Sequence, residues 1–358
     1  MKTSLYILLS VVTFESVYAA CVPARRVVDA PDELNDIGVY HRVHPSGNYV
    51  IASRAMEGRG ENHVAVVDLT NPEQPRVIET PMIDETYPIE GRWKYLASPR
   101  NREETGSGMR YYPFEGATGV LEAGREANYV MNDADHDQWY HSSAELPGST
   151  DQNFQFRTML YGNRYRDYTL TTNSQGVVST NHTETRNACT NLTGHLSSPI
   201  LSKDGTEVAA NVGSSTVIYR INSADSTCEL VDDVGFYTSK VSFSYPNPPS
   251  KGQIAFQGSH TVMVDGIPQP MTGIFIYDRD TRTTRKISGD SGNPSYPGFT
   301  KDGRVIYMDR ENRKIITVDP TQLNTDGSVI RNPRTCIQSE GSADNRRVRR
   351  QNSGSSRQ

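Results

Sequence analysis

Carboxylates stand on every second residue in Asp133-Ala134-Asp135-His136-Asp137. That spacing lets a loop wrap a hard cation such as calcium. Such a loop also needs Gly at its sixth position for the turn and a bidentate Glu at its twelfth, and here Gln138 and Ala144 stand in those places. Asp133, Asp135 and Asp137 therefore read as a solvated turn, with calcium as the one ion the pattern could hold and no other cofactor expected. His41, His136 and His195 are scattered, and each reads as a hydrogen-bonded strand residue unless the fold gathers them around a metal. Tyrosine outnumbers Phe and Trp, 19 against 9 and 2, and it offers apolar area with a polar tip, which suits a recognition surface. Tyr87, Tyr245 and Tyr296, with His41 and His195, are the expected ligand-binding set. No residue is assigned a catalytic role.

Four cysteines, Cys21, Cys189, Cys228 and Cys336, form no C-x-x-C pair, so thiol-redox and zinc-ribbon chemistry have no basis. An even set suits two disulfides in an oxidising compartment; sequence allows three pairings, and Cys189 with Cys228 and Cys21 with Cys336 is favoured because the second ties the chain's beginning to its end. Residues 1–20 carry Lys2, an apolar run too short to cross a bilayer, and small residues ending at Ala19-Ala20, the pattern of a signal peptide. Tyr18-Ala19-Ala20-Cys21 offers the alternative of a lipid anchor at Cys21, which would replace its disulfide. The expected location is periplasmic or extracellular, with no transmembrane segment. Residues 337–358 hold five Arg against two acids among Ser, Gly, Asn and Gln, which reads as a disordered basic tail. The whole chain is at −5, so the remainder is more acidic still, which argues against nucleic acid as a partner.

The elements that must position these residues announce themselves by repetition. His44-Pro45-Ser46-Gly47-Asn48-Tyr49-Val50, Leu201-Ser202-Lys203-Asp204-Gly205-Thr206-Glu207-Val208 and Phe299-Thr300-Lys301-Asp302-Gly303-Arg304-Val305 each read as strand, polar turn closed by Gly, strand. In that turn a hydroxyl and a carboxylate can hold free backbone N–H groups while Gly takes the positive φ. Weaker copies centre on Gly91 and Gly252, and the interval between Gly91 and Gly205 leaves room for one more, expected around Asp135. Second hairpins follow, as in 64–78 and 274–287, rich in β-branched and aromatic residues. Four strands per unit, about six times over, predicts an all-β chain folded as a six-bladed β-propeller over 21–336, with five or seven blades as alternatives. The polar stretch 171–197 is expected to be an inserted lid or a loop held by Cys189.

At these turns the chain resembles the TolB-type propeller repeat, whose core is Pro, two residues, Ser, any residue, Asp, Gly, then an apolar strand. Ser198-Pro199-Ile200-Leu201-Ser202-Lys203-Asp204-Gly205 and Tyr296-Pro297-Gly298-Phe299-Thr300-Lys301-Asp302-Gly303 carry the resemblance. It implies a non-catalytic binding scaffold for a protein or cell-envelope partner, met on the funnel face. The alternative is a metal-dependent hydrolase of the lactonase-like propeller kind, with its site on the central axis. Gly289-Asp290-Ser291-Gly292-Asn293-Pro294 is similar to the nucleophile segment of trypsin-like serine proteases, but no His sits in the companion motif, and the stretch reads as a connection between repeats.

Overall fold

The computed structural model describes residues 24–328 apart from 33, 35–41, 56–61, 84–86, 100–108, 115–141, 161–162, 175–177, 185, 193–195, 248–249, 290–291 and 325. These belong to one compact unit, Ala24–Ile330. The predicted hairpin turns form as their chemistry demands. The Asp204 carboxylate accepts from the Ser202 hydroxyl (2.6 Å), the Thr206 hydroxyl (2.8 Å) and the Thr206 N–H (3.2 Å), while Gly205 takes φ +67°. Ser46 plays the carboxylate's part in the first copy, bonding the His44 ring at Nδ1 (2.8 Å) and accepting from the Asn48 N–H.

Chain order gives β1 (Arg25–Asp29), then a sheet of β2 (Arg42–Val43), β3 (Tyr49–Ala55), β4 (Asn62–Asp68) and β5 (Arg76–Ile83). Next come β6 (Tyr87–Glu90), β7 (Tyr95–Pro99) and β8 (Met109–Pro113), followed by β9 (Ser142–Glu145), β10 (Asn153–Leu160), β11 (Arg164–Thr172), β12 (Val178–His182) and β13 (Arg186–Asn187). A four-stranded sheet follows from β14 (Ser197–Leu201), β15 (Glu207–Val212), β16 (Ser215–Ile221) and β17 (Cys228–Asp233). Another holds β18 (Ser239–Phe243), β19 (Gln253–Val264), β20 (Ile267–Asp278) and β21 (Thr283–Lys286). The last is β22 (Pro294–Phe299), β23 (Val305–Asp309) and β24 (Lys314–Val318), completed by β1.

The six-bladed expectation is overturned. Four sheets are separate four-stranded blades, but β6 pairs in parallel with β9 (Ile89 with Ser143, Glu90 with Ala144), so β6–β8 and β9–β13 merge into one eight-stranded sheet. A physical reason lies in the first strands. Those of three blades carry a β-bulge, between Ser197 and Ile200, Ser239 and Ser242, and Ser295 and Gly298. A bulge kinks a strand and spoils its free edge for pairing. The ladders of β6 with β7 and of β9 with β10 run without such a shift, which leaves the facing edges of β6 and β9 free to pair.

One further expectation changes. The stretch 171–197 is no lid among the described residues: β12 pairs with β11 from Tyr168–His182 to Thr172–Val178, and β13 pairs with it at Arg164 and Tyr165. Between β9 and β10 a Gly-closed turn forms, with Gly148 at φ +85°. The copy proposed at 128–141 lies outside the described residues.

First strands touch in the order β6, β9, β14, β18, β22, β2, and so surround an axis. The core is a belt between consecutive sheets. Tyr49, Ile51 and Val66 pack on Trp93, Leu96 and Phe114, for example, and Ala255, Ile274 and Ile276 on Phe299, Val305 and Tyr307. Gly298 shows how tight this belt is, because a Cβ there would lie 2.5 Å from the Val43 side chain of the next sheet. The ring closes through backbone pairing of β1 with β24, from Arg25–Val318 to Asp29–Lys314. Cys189 and Cys228 are joined as expected. The Asn191 side chain braces that link, donating to the Cys228 carbonyl (2.9 Å) and accepting from its N–H (2.8 Å). Cys21 and Cys336 lie outside the described residues. No helix of the described chain is long and apolar enough to cross a membrane.

Candidate functional site

Each first strand begins at one end of the axis, the mouth, and runs to the Gly-closed turns at the other. At the mouth the three bulges repeat one another residue for residue. Each opens on a Ser (197, 239, 295), and the next residue, Ser198, Lys240 or Tyr296, takes a left-handed φ of +50°, +52° or +51°. Non-glycine residues at positive φ cost about 1 kcal/mol or more each. Pro199 and Pro297 follow two of them, and a residue before proline is normally driven to extended backbone, which adds to the cost. Bulges of this kind re-aim side chains beside functional sites. Here they convey side chains from three consecutive first strands to one rim. Lys240 Nζ lies over the Tyr296 ring, 4.8 Å from its centroid, across the boundary between two blades. Ser198 and Lys240 are exposed and Tyr296 is half-buried.

The opposite end is plugged. Glu90 Oε2 accepts from Lys203 Nζ (2.7 Å) and from Trp93 Nε1 (3.1 Å), and Lys203 Nζ also stands 5.4 Å from the centroid of the Tyr245 ring. The Tyr245 hydroxyl donates to the Gly91 carbonyl (3.4 Å). Burial first, and then the Glu90 charge, raise the Tyr245 phenol well above its usual range, so it stays a neutral donor. Beside this plug, the blades β14–β17 and β18–β21 enclose a cavity of about 530 Å³. Its walls are crossed by ion pairs, Arg279 with Glu207 at 2.8 Å and Arg282 with Asp232 at 3.5 Å.

His44 completes the plug. Its ring is buried against Tyr49, Trp93 and Phe114 at 5.3–5.5 Å between centroids, with Nε2 lacking a hydrogen-bond partner. Burial lowers its pKa to about 4, with Glu90 opposing the shift. The unfolded chain protonates this imidazole at its ordinary value near 6.5, so below that pH the unfolded state holds more protons than the folded one. Stability is therefore full above pH 6.5 and falls as the pH drops towards 4, by about 3 kcal/mol from this group. Stabilities from urea unfolding at about pH 7 and about pH 4.5 should show the wild type losing about 2.5 kcal/mol more than His44→Gln. Equal losses in the two proteins would remove His44 from the explanation.

Of the residues singled out in the sequence, Tyr296 lies at the mouth. Tyr245 follows the end of β18 and so sits in the plug, at the other end of the axis. The two are not brought together. Tyr87 is the first residue of β6. His41, His136, His195, Asp133, Asp135 and Asp137 lie outside the described residues. Among the described residues no group of three or more His, Cys, Asp or Glu is placed to hold a metal. Sequence reading missed Ser198 and Lys240, although Ser-Ser-Pro at 197–199 and Ser-Tyr-Pro at 295–297 share the bulge signature.

No family model matches the chain, and no curated protein matches it. Among solved structures, the chain is similar to an auxiliary nutrient binding protein from Bacteroides thetaiotaomicron, with 12% identity over 82% of this chain and 72% of that one and a TM-score of 0.45. It is also similar to the Cps50 (Swd1) β-propeller domain of Myceliophteria thermophila, with 10% identity over 77% and 81% and a TM-score of 0.41, and to TolB from Acinetobacter baumannii, with 12% identity over 79% and 54% and a TM-score of 0.36.

Proposed function

We propose that the chain is a binding propeller of the TolB type that works outside the cytoplasm and takes a protein or cell-envelope partner at the mouth of its axis. The observation that carries this reading is the threefold bulge. Strain of one kind, kept at equivalent positions of three blades and spent on exposed or half-exposed side chains, is difficult to account for by packing alone. Lys240 supplies a cation, Tyr296 an aromatic face with a hydroxyl, and Ser198 a second hydroxyl. Together they suit a partner group that presents carboxylate or carbonyl oxygens. The Cys189–Cys228 disulfide supports an oxidising compartment such as the periplasm or the extracellular space.

The test is affinity capture from envelope extract with the mature protein, run beside a Lys240→Glu, Tyr296→Ala double variant and a Glu229→Gln control on the outer strand β17. A partner recovered by the wild type and the control should be depleted about tenfold or more by the double variant, the size expected for a central anchor pair. Equal recovery by all three would discard the mouth as the binding surface.

A further inference from the structure

The hairpin of β19 and β20 is longer than its blade. Its neighbours stop early: β18 pairs with β19 only as far as Gln257, and β21 pairs with β20 only from Phe275. Beyond them, 258–264 and 267–273 continue as a ribbon of two strands, paired from Gly258–Gly273 to Val264–Ile267. Asp265 and Gly266 close it, both at positive φ (+50° and +78°), the signature of a two-residue type I′ turn. One face of the ribbon is anchored. His260 stacks on Phe236 at 3.9 Å between centroids, and Val262 is buried in the cluster that contains Phe236 and Val264.

Hairpin geometry decides what the two long edges offer. In a turn of this type the flanking pair, Val264 and Ile267, exchanges both hydrogen bonds, and the pattern alternates from there. Val262 with Gln269 and His260 with Met271 are therefore bonded pairs. Ser259, Thr261 and Met263 on β19, and Pro268, Pro270 and Thr272 on β20, point their backbone groups outward. On the β20 edge two of those three outward positions are proline, which has no N–H to give. That edge is blocked. The β19 edge carries none of the usual protections, neither proline, nor bulge, nor lysine, and among the described residues no backbone group pairs with it. Residues 258–264 and 266–272 contain no Asp, Glu, Lys or Arg, in a chain that is 22% charged and at −5 overall. The apolar tip is open to solvent, with Met263 54% and Ile267 61% exposed.

We infer that the free edge of β19 is a self-association edge, on which β19 of a second copy adds antiparallel with Thr261 facing Thr261, making a continuous four-stranded ribbon across two molecules. Self-complementarity is what selects this occupant. About a two-fold axis at Thr261, every outward N–H at 259, 261 and 263 meets an outward C=O of the other strand, Ser259 faces Met263, and Thr faces Thr, a favourable cross-strand pair. No like charges are opposed along the strip. The β20 edge stops the association at two, because two of its three outward positions are proline and a third copy finds only the Thr272 N–H as a donor there.

The experiment is sedimentation of the mature chain across the micromolar range, with three proteins in parallel. The wild type should show a monomer–dimer equilibrium. Thr261→Pro, which removes the central N–H, should raise the apparent Kd about tenfold or more while its circular-dichroism melt stays with the wild type. Thr261→Cys, oxidised mildly, should give a covalent dimer whose peptide map links 261 to 261, since directly opposed strand residues lie within disulfide reach. A wild type that is monomeric throughout overturns the inference. So does a dimer that survives Thr261→Pro, or a wild-type monomer from which Thr261→Pro removes a different captured protein, which would make the edge a site for a foreign strand.

Discussion

Replacing Cys189 and Cys228 together with alanine should lower stability by about 4 kcal/mol, the figure that loop-closure entropy gives for a cross-link spanning 39 residues. The span encloses β14, β15 and β16 entirely, so the bond restricts three strands of one blade in the unfolded chain. It also pins the start of β17 to the segment that arrives from β13. Both sulfurs are buried in an apolar cluster with Leu196, Val208 and Tyr219, so alanine adds a small packing loss to the entropy. For a unit of this size the cost corresponds to a fall of roughly 6 °C in Tm. A melt followed by circular dichroism, with the wild type reduced and oxidised alongside the variant, measures it. An unchanged Tm would mean that the blade is held by its sheet alone.

Lys203→Met should cost about 3–5 kcal/mol, because it strands a buried carboxylate. Lys203 and Glu90 have side chains only 5% and 12% exposed, and the pair joins two places that are not neighbours around the ring, the end of β6 and the turn after β14. With the ammonium gone, Glu90 keeps the Trp93 N–H and little else. Removing both charges is much milder. Lys203→Met with Glu90→Gln leaves a neutral acceptor for Trp93, and the double-mutant cycle should give a coupling on the order of 2 kcal/mol. Denaturation in urea at neutral pH reads all four proteins. Additive losses would show that the two side chains act independently and that the plug is not a unit.

The parts of this fold that could be read from the chain are the local ones. A hydroxyl, a carboxylate and a glycine within four residues suit the hairpin turns at Gly205 and Gly303, and at Gly47 the Ser46 hydroxyl stands in for the carboxylate. The Cys189–Cys228 bond was expected on another ground, that pairing Cys21 with Cys336 ties the chain's beginning to its end and leaves these two for each other. Contacts set by the meeting of distant edges were not. The parallel pairing of β6 with β9 depends on the lack of a register shift in two strands more than fifty residues apart, and no single residue announces it. Of the tyrosines expected to bind a ligand, Tyr296 falls in the bulge of β22 at the mouth. Tyr245 was assigned to the wrong end of the axis because β18, only five residues of mixed polarity, went unrecognised, and the tyrosine after it looked like a connection. Ser198 and Lys240 escaped because a bulge is a mismatch between two strands, visible only once both are paired.

The pairing of β1 with β24 also sets a timetable. Asp29 and Lys314, partners in that ladder, are 285 residues apart, so β1, the first described strand, has no seat during synthesis until β24 has arrived. Every other ladder can zip up from nearby segments, whereas this one must wait for the longest loop in the molecule to close. Until it does, β24 offers a bare flank to any passing strand, which makes the interval before closure the period when the newborn chain most needs a chaperone's shelter.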